Sequence, residues 1–119
     1  MNFLEYQAAA LRTAPEQPPL AGLVHASLGL ATETGEFTSE VKRMSQYGKG
    51  FTPEMHAHMA EELGDVLWYV ALACEHLGVS MRRVAEQNIA KLQLRFPEKF
   101  DAAAAEARAD KGGVGHRES

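Results

Sequence analysis

The chain has a single cysteine, Cys74, which excludes an internal disulfide and suits a reducing compartment. It also lacks a long apolar run. The longest uncharged apolar stretch, Val66 to Cys74, is too short to span a bilayer. The opening Met1-Asn2-Phe3-Leu4-Glu5 has neither the charged start nor the apolar middle of a signal peptide, so a cytoplasmic location is expected. Basic residues are outnumbered, with 12 Lys and Arg against 16 Asp and Glu. The resulting net charge of -4 argues against a duplex nucleic-acid binder, which would carry a basic face. No segment alternates with the period of a strand, and no internal repeat is present. What remains is a chain of 119 residues that is 45% hydrophobic, enough for one domain with a core and small enough to gain from oligomerising.

The pattern is helical throughout, and the expected fold is all-α and four-helix bundle-like. A first helix is predicted from Phe3 to Thr13, with Asn2 as N-cap. Pro15, Pro18 and Pro19 form a linker, and a long second helix follows from Leu20 to Ser45. Tyr47-Gly48-Lys49-Gly50 reads as a loop. Thr52 caps a third helix with Pro53 in its first turn, and Gly78 stops it after Leu77. Ser80 starts a fourth helix that runs to Phe96, ahead of Pro97. Residues 1–100 are expected to form the helical domain. Residues 101–119 read as an extension, with a short Ala-rich helix between Glu98 and Asp110 and a disordered tail from Lys111 to Ser119.

Two acidic doublets stand out, Glu33-x-x-Glu36 and Glu62-x-x-Asp65. Residues three apart share a helix face, so each doublet aims two carboxylates the same way. At about 100° per residue, the apolar stripe of the second helix is Leu23, Leu30, Phe37, Val41 and Met44. Glu33, Glu36 and Glu40 lie beside that stripe, with His25 and Gly29. The third helix repeats the layout. Met55, Met59, Leu63, Val66, Val70, Cys74 and Leu77 form its stripe, with Glu62, Asp65 and Tyr69 along the edge and His58 and His76 in line. Carboxylates that abut a core are costly unless something positive offsets them, and hard divalent cations that take oxygen ligands are suited to that role. On the fourth helix Asn88, Lys91 and Arg95 fall on one narrow stripe, placed to pair with the acids or to bind phosphates.

Each doublet alone would more often be a solvated face. Together, on the core-facing edges of two long helices and matched by a cationic stripe, they read as a site. His25, His58 and His76 read as polar boundary residues, and His56 as a helix-start residue. Lys49 reads as a loop lysine, and Cys74 lies on the apolar stripe, which removes it as a nucleophile. Ferritin-like di-iron bundles need Glu-x-x-His, and no Glu here has a His three residues later. A Walker-type loop needs Gly-Lys-Ser/Thr, and Gly48-Lys49 is followed by Gly50.

Three stretches carry a family resemblance: Leu28-Gly-Leu-Ala-Thr-Glu-Thr-Gly-Glu36, Glu61-Glu-Leu-Gly-Asp-Val-Leu-Trp-Tyr69 and Asn88-Ile-Ala-Lys-Leu-Gln-Leu-Arg-Phe-Pro97. Over about residues 3 to 100 the chain resembles the MazG-like nucleotide pyrophosphohydrolases of the all-α NTP pyrophosphatase superfamily, in the compact form of phage-type and small bacterial members. The resemblance implies Mg²⁺-dependent hydrolysis of a (deoxy)nucleoside triphosphate to the monophosphate and pyrophosphate, with attack at the α-phosphorus and a role in sanitising the nucleotide pool. Mn²⁺ is a possible substitute for Mg²⁺. It implies metal ligation and catalysis by Glu33, Glu36, Glu62 and Asp65. Asn88, Lys91 and Arg95 would bind phosphates, and Tyr69 a phosphate or the sugar. Some relatives carry a further acid where this chain has Thr32, so the general base stays open. The competing class is a non-catalytic helical module that binds a nucleotide or a partner.

A homo-oligomer is also expected, a tetramer built as a dimer of dimers or else a dimer. Its contact face is expected on the third helix at Trp68, Ala71 and Leu72, which the other helices were expected to leave uncovered.

Overall fold

A computed structural model describes residues 1–47, 52–97 and 102–107. The described residues contain five α-helices and no strand: α1 (Phe3–Leu11), α2 (Pro19–Tyr47), α3 (Pro53–Leu77), α4 (Met81–Arg95) and α5 (Ala102–Ala107). Of the expected loop Tyr47-Gly48-Lys49-Gly50, Tyr47 is instead the last residue of α2; the other three residues and the tail from Lys111 to Ser119 lie outside the described residues.

Local chemistry accounts for the helix ends. Asn2 and Glu5 form a reciprocal capping box, with Glu5 N donating to Asn2 Oδ1 at 2.8 Å and Asn2 N to Glu5 Oε1 at 3.0 Å; this satisfies two otherwise orphaned donors of α1. Thr52 caps α3 through Met55 N, with proline at the first turn. Gly78 closes α3 in the left-handed region at φ 74, which a residue without a β-carbon adopts at no steric cost. The N-terminus of α4 is tied down by Gln7, whose Oε1 accepts from Met81 N at 2.7 Å. Gln7 is buried, and its Nε2 donates to Val79 O.

The chain divides into two compact units, Met1–Met81 and Arg82–Ser119. In the first, α2 and α3 run antiparallel and share one seam. The Gly22 backbone lies against the His76 ring and that of Gly29 against the Tyr69 ring, so close that a β-carbon at either glycine would overlap the ring. Further along, Glu33 and Glu36 meet Glu62, and Glu40 meets His58. Each advance along α2 is matched by an equal retreat along α3. The alternating three- and four-residue steps are those of a heptad seam. Ala26 and Leu72 occupy the intervening layer and are both fully buried. The small residues Gly22, Ala26 and Gly29 let the helices approach closely at one end.

This seam departs from the sequence expectation. The helices meet along the band that carries Glu62, Asp65 and Tyr69, and not along the apolar stripe centred on Leu63. Leu63 is 50% exposed and Leu77 62% exposed. The face expected to lie open is instead covered. Ala71 and Leu72 are fully buried, and Trp68 is half-buried. The cover on one side is α1, whose Tyr6 and Ala10 pack against the cluster of Ala71, Cys74 and Met81.

The second unit holds α4 from Arg82 onward and α5. Arg82 and Glu86 form an exposed pair one turn apart on α4, with Nε 3.4 Å from Oε2.

Candidate metal and nucleotide site

The acidic doublets converge as their spacing predicts. One carboxylate oxygen each from Glu33, Glu62 and Asp65 lies within 4.8 Å of the others. Glu33 comes from α2 and the other two from α3, so the group exists only because the seam brings the helices together. Glu62 is buried, Glu33 half-buried and Asp65 exposed, giving a graded approach from core to surface. Glu36 is exposed and stands beside Glu62 without joining the closest trio.

The electrostatics are those of crowded like charges. Burial, then hydrogen bonds shared with Glu33 and Glu36 and the charge of Glu36, push the Glu62 carboxyl up to about 7. His58 opposes that rise, with Nε2 3.1 Å from Glu62 Oε1 and 3.8 Å from Glu40 Oε1. Tyr6 feels the same field: its hydroxyl pKa is raised first by burial and then by the charge of Asp65. Glu33 Oε2 is buried with no hydrogen-bond partner among the described residues. Such an atom is expensive unless a ligand satisfies it. A hard divalent cation fits this donor set, which is all carboxylate oxygen and carries more negative charge than His58 can offset.

A cavity of about 330 Å³ opens beside the trio, lined by Glu33, Asp65, Trp68 and Tyr69. Tyr69 thus lies where its sequence position, one turn beyond Asp65, suggested. Asn88, Lys91 and Arg95 belong to the second unit, where they rise in successive turns along α4; Asn88 is exposed, while Lys91 and Arg95 are half-buried. Cys74 is buried, and burial raises its thiol pKa, in keeping with its exclusion as a nucleophile.

Three further residues border the acids. Glu40, which the sequence already places in the band with Glu33 and Glu36, extends the acidic row by one more turn, and His58, read as a boundary residue in line with Glu62, pairs with it directly. The steps from Glu33 to Glu36 to Glu40, and from His58 to Glu62 to Asp65, carried that signal. Trp68 was assigned to an outer face but lines the cavity, and no sequence signal places α1, which anchors it. None of the helices among the described residues is long and apolar enough to cross a membrane.

An antiparallel helix pair with opposed Glu-x-x-Glu and Glu-x-x-Asp doublets gathered around one acidic point defines an all-α class of protein built around a carboxylate centre. The comparison with known families agrees. The MazG nucleotide pyrophosphohydrolase domain model matches residues 25–100, and the chain belongs to that family. It is also similar to the Gene 37 protein of Mycobacterium phage L5, with 36% identity over 96 residues that cover 76% of this chain and 84% of the phage protein. No solved structure matches.

Proposed function

We propose that the protein is a cytoplasmic, Mg²⁺-dependent nucleoside triphosphate pyrophosphohydrolase that converts a (deoxy)nucleoside triphosphate to the monophosphate and pyrophosphate. The observation that carries this reading is the trio Glu33, Glu62 and Asp65, gathered within 4.8 Å, with Glu33 Oε2 buried and unpartnered. Membership of the MazG family supports the choice of reaction. Glu33, Glu62 and Asp65 hold the cation, with Glu36 completing the set from α2. Mg²⁺, or Mn²⁺ in its place, would neutralise charge on the triphosphate and lower the pKa of a water so that it gives up a proton on attacking phosphorus.

At phosphorus the reaction makes one bond and breaks one. The water oxygen bonds to the α-phosphorus, the bond from that phosphorus to the bridging oxygen breaks, and pyrophosphate leaves. One of the four acids accepts the proton from the water. Asn88, Lys91 and Arg95 bind phosphate oxygens and stabilise the charge on the departing pyrophosphate. Tyr69 orients a phosphate or the sugar. The functional domain spans residues 1–100, and clearing unwanted nucleotides from the pool is its role. The active form is a homotetramer, with a dimer as the smaller assembly. Supporting that is the apolar row on α3, where Leu63, Leu67 and Leu77 are 50%, 40% and 62% exposed; such rows on small proteins mark contact surfaces. Light scattering checks it, and a mass of one 13.0 kDa chain would refute it.

The experiment that tests the function is hydrolysis of a nucleoside triphosphate panel with Mg²⁺ in ¹⁸O-labelled water. Monophosphate and pyrophosphate are expected as products, with the label in the monophosphate. Label in the pyrophosphate would move the attack to the β-phosphorus. Absence of turnover across the panel would favour a non-catalytic binding module.

A further inference from the structure

The cavity beside the carboxylates is lined by two acids, Glu33 and Asp65, and two aromatic residues, Trp68 and Tyr69. Trp68 is anchored by its polar end. The Trp68 indole N–H is shared between Thr13 Oγ1 at 2.9 Å and Ala10 O at 3.2 Å, and the Thr13 hydroxyl itself donates to Ala10 O. The polar end of the indole is therefore spent on the end of α1, which frees the half-buried ring from any polar demand inside the cavity. Tyr69 stands edge-on to Trp68, with centroids 5.0 Å apart at 87°. Its ring rests on Gly29 at a distance that no β-carbon would allow. His25 meets Tyr69 edge-on at 5.8 Å and Trp68 at a tilt, and its Nδ1 lies 3.0 Å from Gln17 Oε1. Three rings are thus locked by contacts that owe nothing to a ligand.

We propose that Trp68 is the platform on which the heterocyclic base of the substrate stacks, with Tyr69 and His25 holding it in place. This rests on the reading of the site as a nucleotide site and adds where the base sits. A cavity of about 330 Å³ falls in the range of small-molecule sites, on the order of 300–1,000 Å³. A ligand that suits both the acidic and the aromatic lining joins a polyanion, bound through a cation at the carboxylates, to a flat aromatic ring. Preorganisation of the rings means that binding does not have to order them. Stacking reads the face of a base and not its edge, so it tolerates different bases. The platform therefore favours a nucleotide over inorganic polyphosphate without selecting one base strongly.

Trp68 is the only tryptophan in the chain, so its emission reports on the platform alone. The experiment titrates the full chain, with Mg²⁺ present, with an α,β-methylene nucleoside triphosphate that cannot be hydrolysed, and separately with inorganic tripolyphosphate. The analogue is expected to quench emission saturably, while tripolyphosphate competes for the site with little quenching. Trp68→Ala should weaken the analogue by about tenfold or more, the scale of one lost base stack, and leave tripolyphosphate affinity unchanged. Trp68→Phe, which keeps an aromatic face, should retain most of the affinity and decides the matter if the alanine variant does not fold. Equal quenching by both ligands, or equal losses of both in Trp68→Ala or Trp68→Phe, would overturn the platform. Turnover without selective quenching would sink the platform and leave the pyrophosphohydrolase reading standing. Selective quenching without turnover would do the reverse.

Discussion

The two ends of the α2–α3 seam share one backbone geometry and solve opposite problems. Toward Gly22 and His76 the layers are Gly22 on His76, Ala26 with Leu72, and Gly29 on Tyr69; small residues face large ones and the space closes. Toward Glu40 and His58 the same heptad positions carry Glu33, Glu36, Glu62 and Asp65, which repel one another. Packing at the first end supplies the stability that crowded charge at the second end costs. The helix pair can hold unfavourable chemistry because half of its contact is unusually close. Substitutions at the two ends should therefore separate stability from activity.

The largest expected effect is on turnover at the acidic end. Asp65→Asn or Glu36→Gln should lower it by a factor on the order of 10³, with melting temperature unchanged or raised because like-charge repulsion is relieved. Near-normal activity at saturating Mg²⁺ would remove that residue from the site. At the packed end the largest effect is on stability. Leu72→Ala should cost about 2–5 kcal/mol, a fall of roughly 10 °C or more in melting temperature. Cation binding should survive in the folded fraction, as calorimetry with Mg²⁺ would show.

Two glycines sharpen the contrast within a single helix. Gly35 faces open space, so Gly35→Ala should stabilise by about 0.5–1 kcal/mol through helix propensity alone. Gly29→Ala gains the same propensity but must displace the Tyr69 ring, so chemical denaturation should show less stabilisation or a net loss. Equal gains at both positions would mean that the seam is looser than described.

The smallest expected effect is the pH dependence of the metal-free protein. The folded-state pKa of Glu62, about 7, lies above the ordinary value of about 4.3. The native protein therefore keeps a proton that the unfolded chain releases. That contribution is fully present below the ordinary value and is lost as pH rises through 7. Melting temperature without metal should decline from about pH 5 to about pH 8, and Glu62→Gln should flatten the slope.

Much of this was legible in the residues. Asn2 with Glu5, Thr52 with Pro53, and Gly78 mark their helix ends by hydrogen-bonding chemistry that acts locally. The i,i+3 doublets were enough to predict a shared acidic point, because helix periodicity fixes their direction. The seam axis was harder to read. Gly22, Ala26 and Gly29 contribute almost no hydrophobicity, yet their lack of bulk decides how near α3 can come; a stripe drawn through the largest apolar residues runs to one side of the contact. The burial of Ala71 and the anchoring of Trp68 depend on where α1 docks. Its nine residues FLEYQAAAL show no face that selects one flank of α3 over the other. The buried Gln7 fixes that docking through Val79 and Met81, contacts made across more than half the chain.

On the proposed function, the acidic end of the seam is strained until a cation occupies it. Thermal melting of the full chain near pH 8, with and without millimolar Mg²⁺, tests this most directly when wild type and Asp65→Asn are compared. Binding to the native state alone raises the melting temperature with cation concentration. The wild type should rise with added Mg²⁺, and Asp65→Asn should start at the same temperature or higher and gain little. Equal gains in both proteins, or none in the wild type, would contradict the claim.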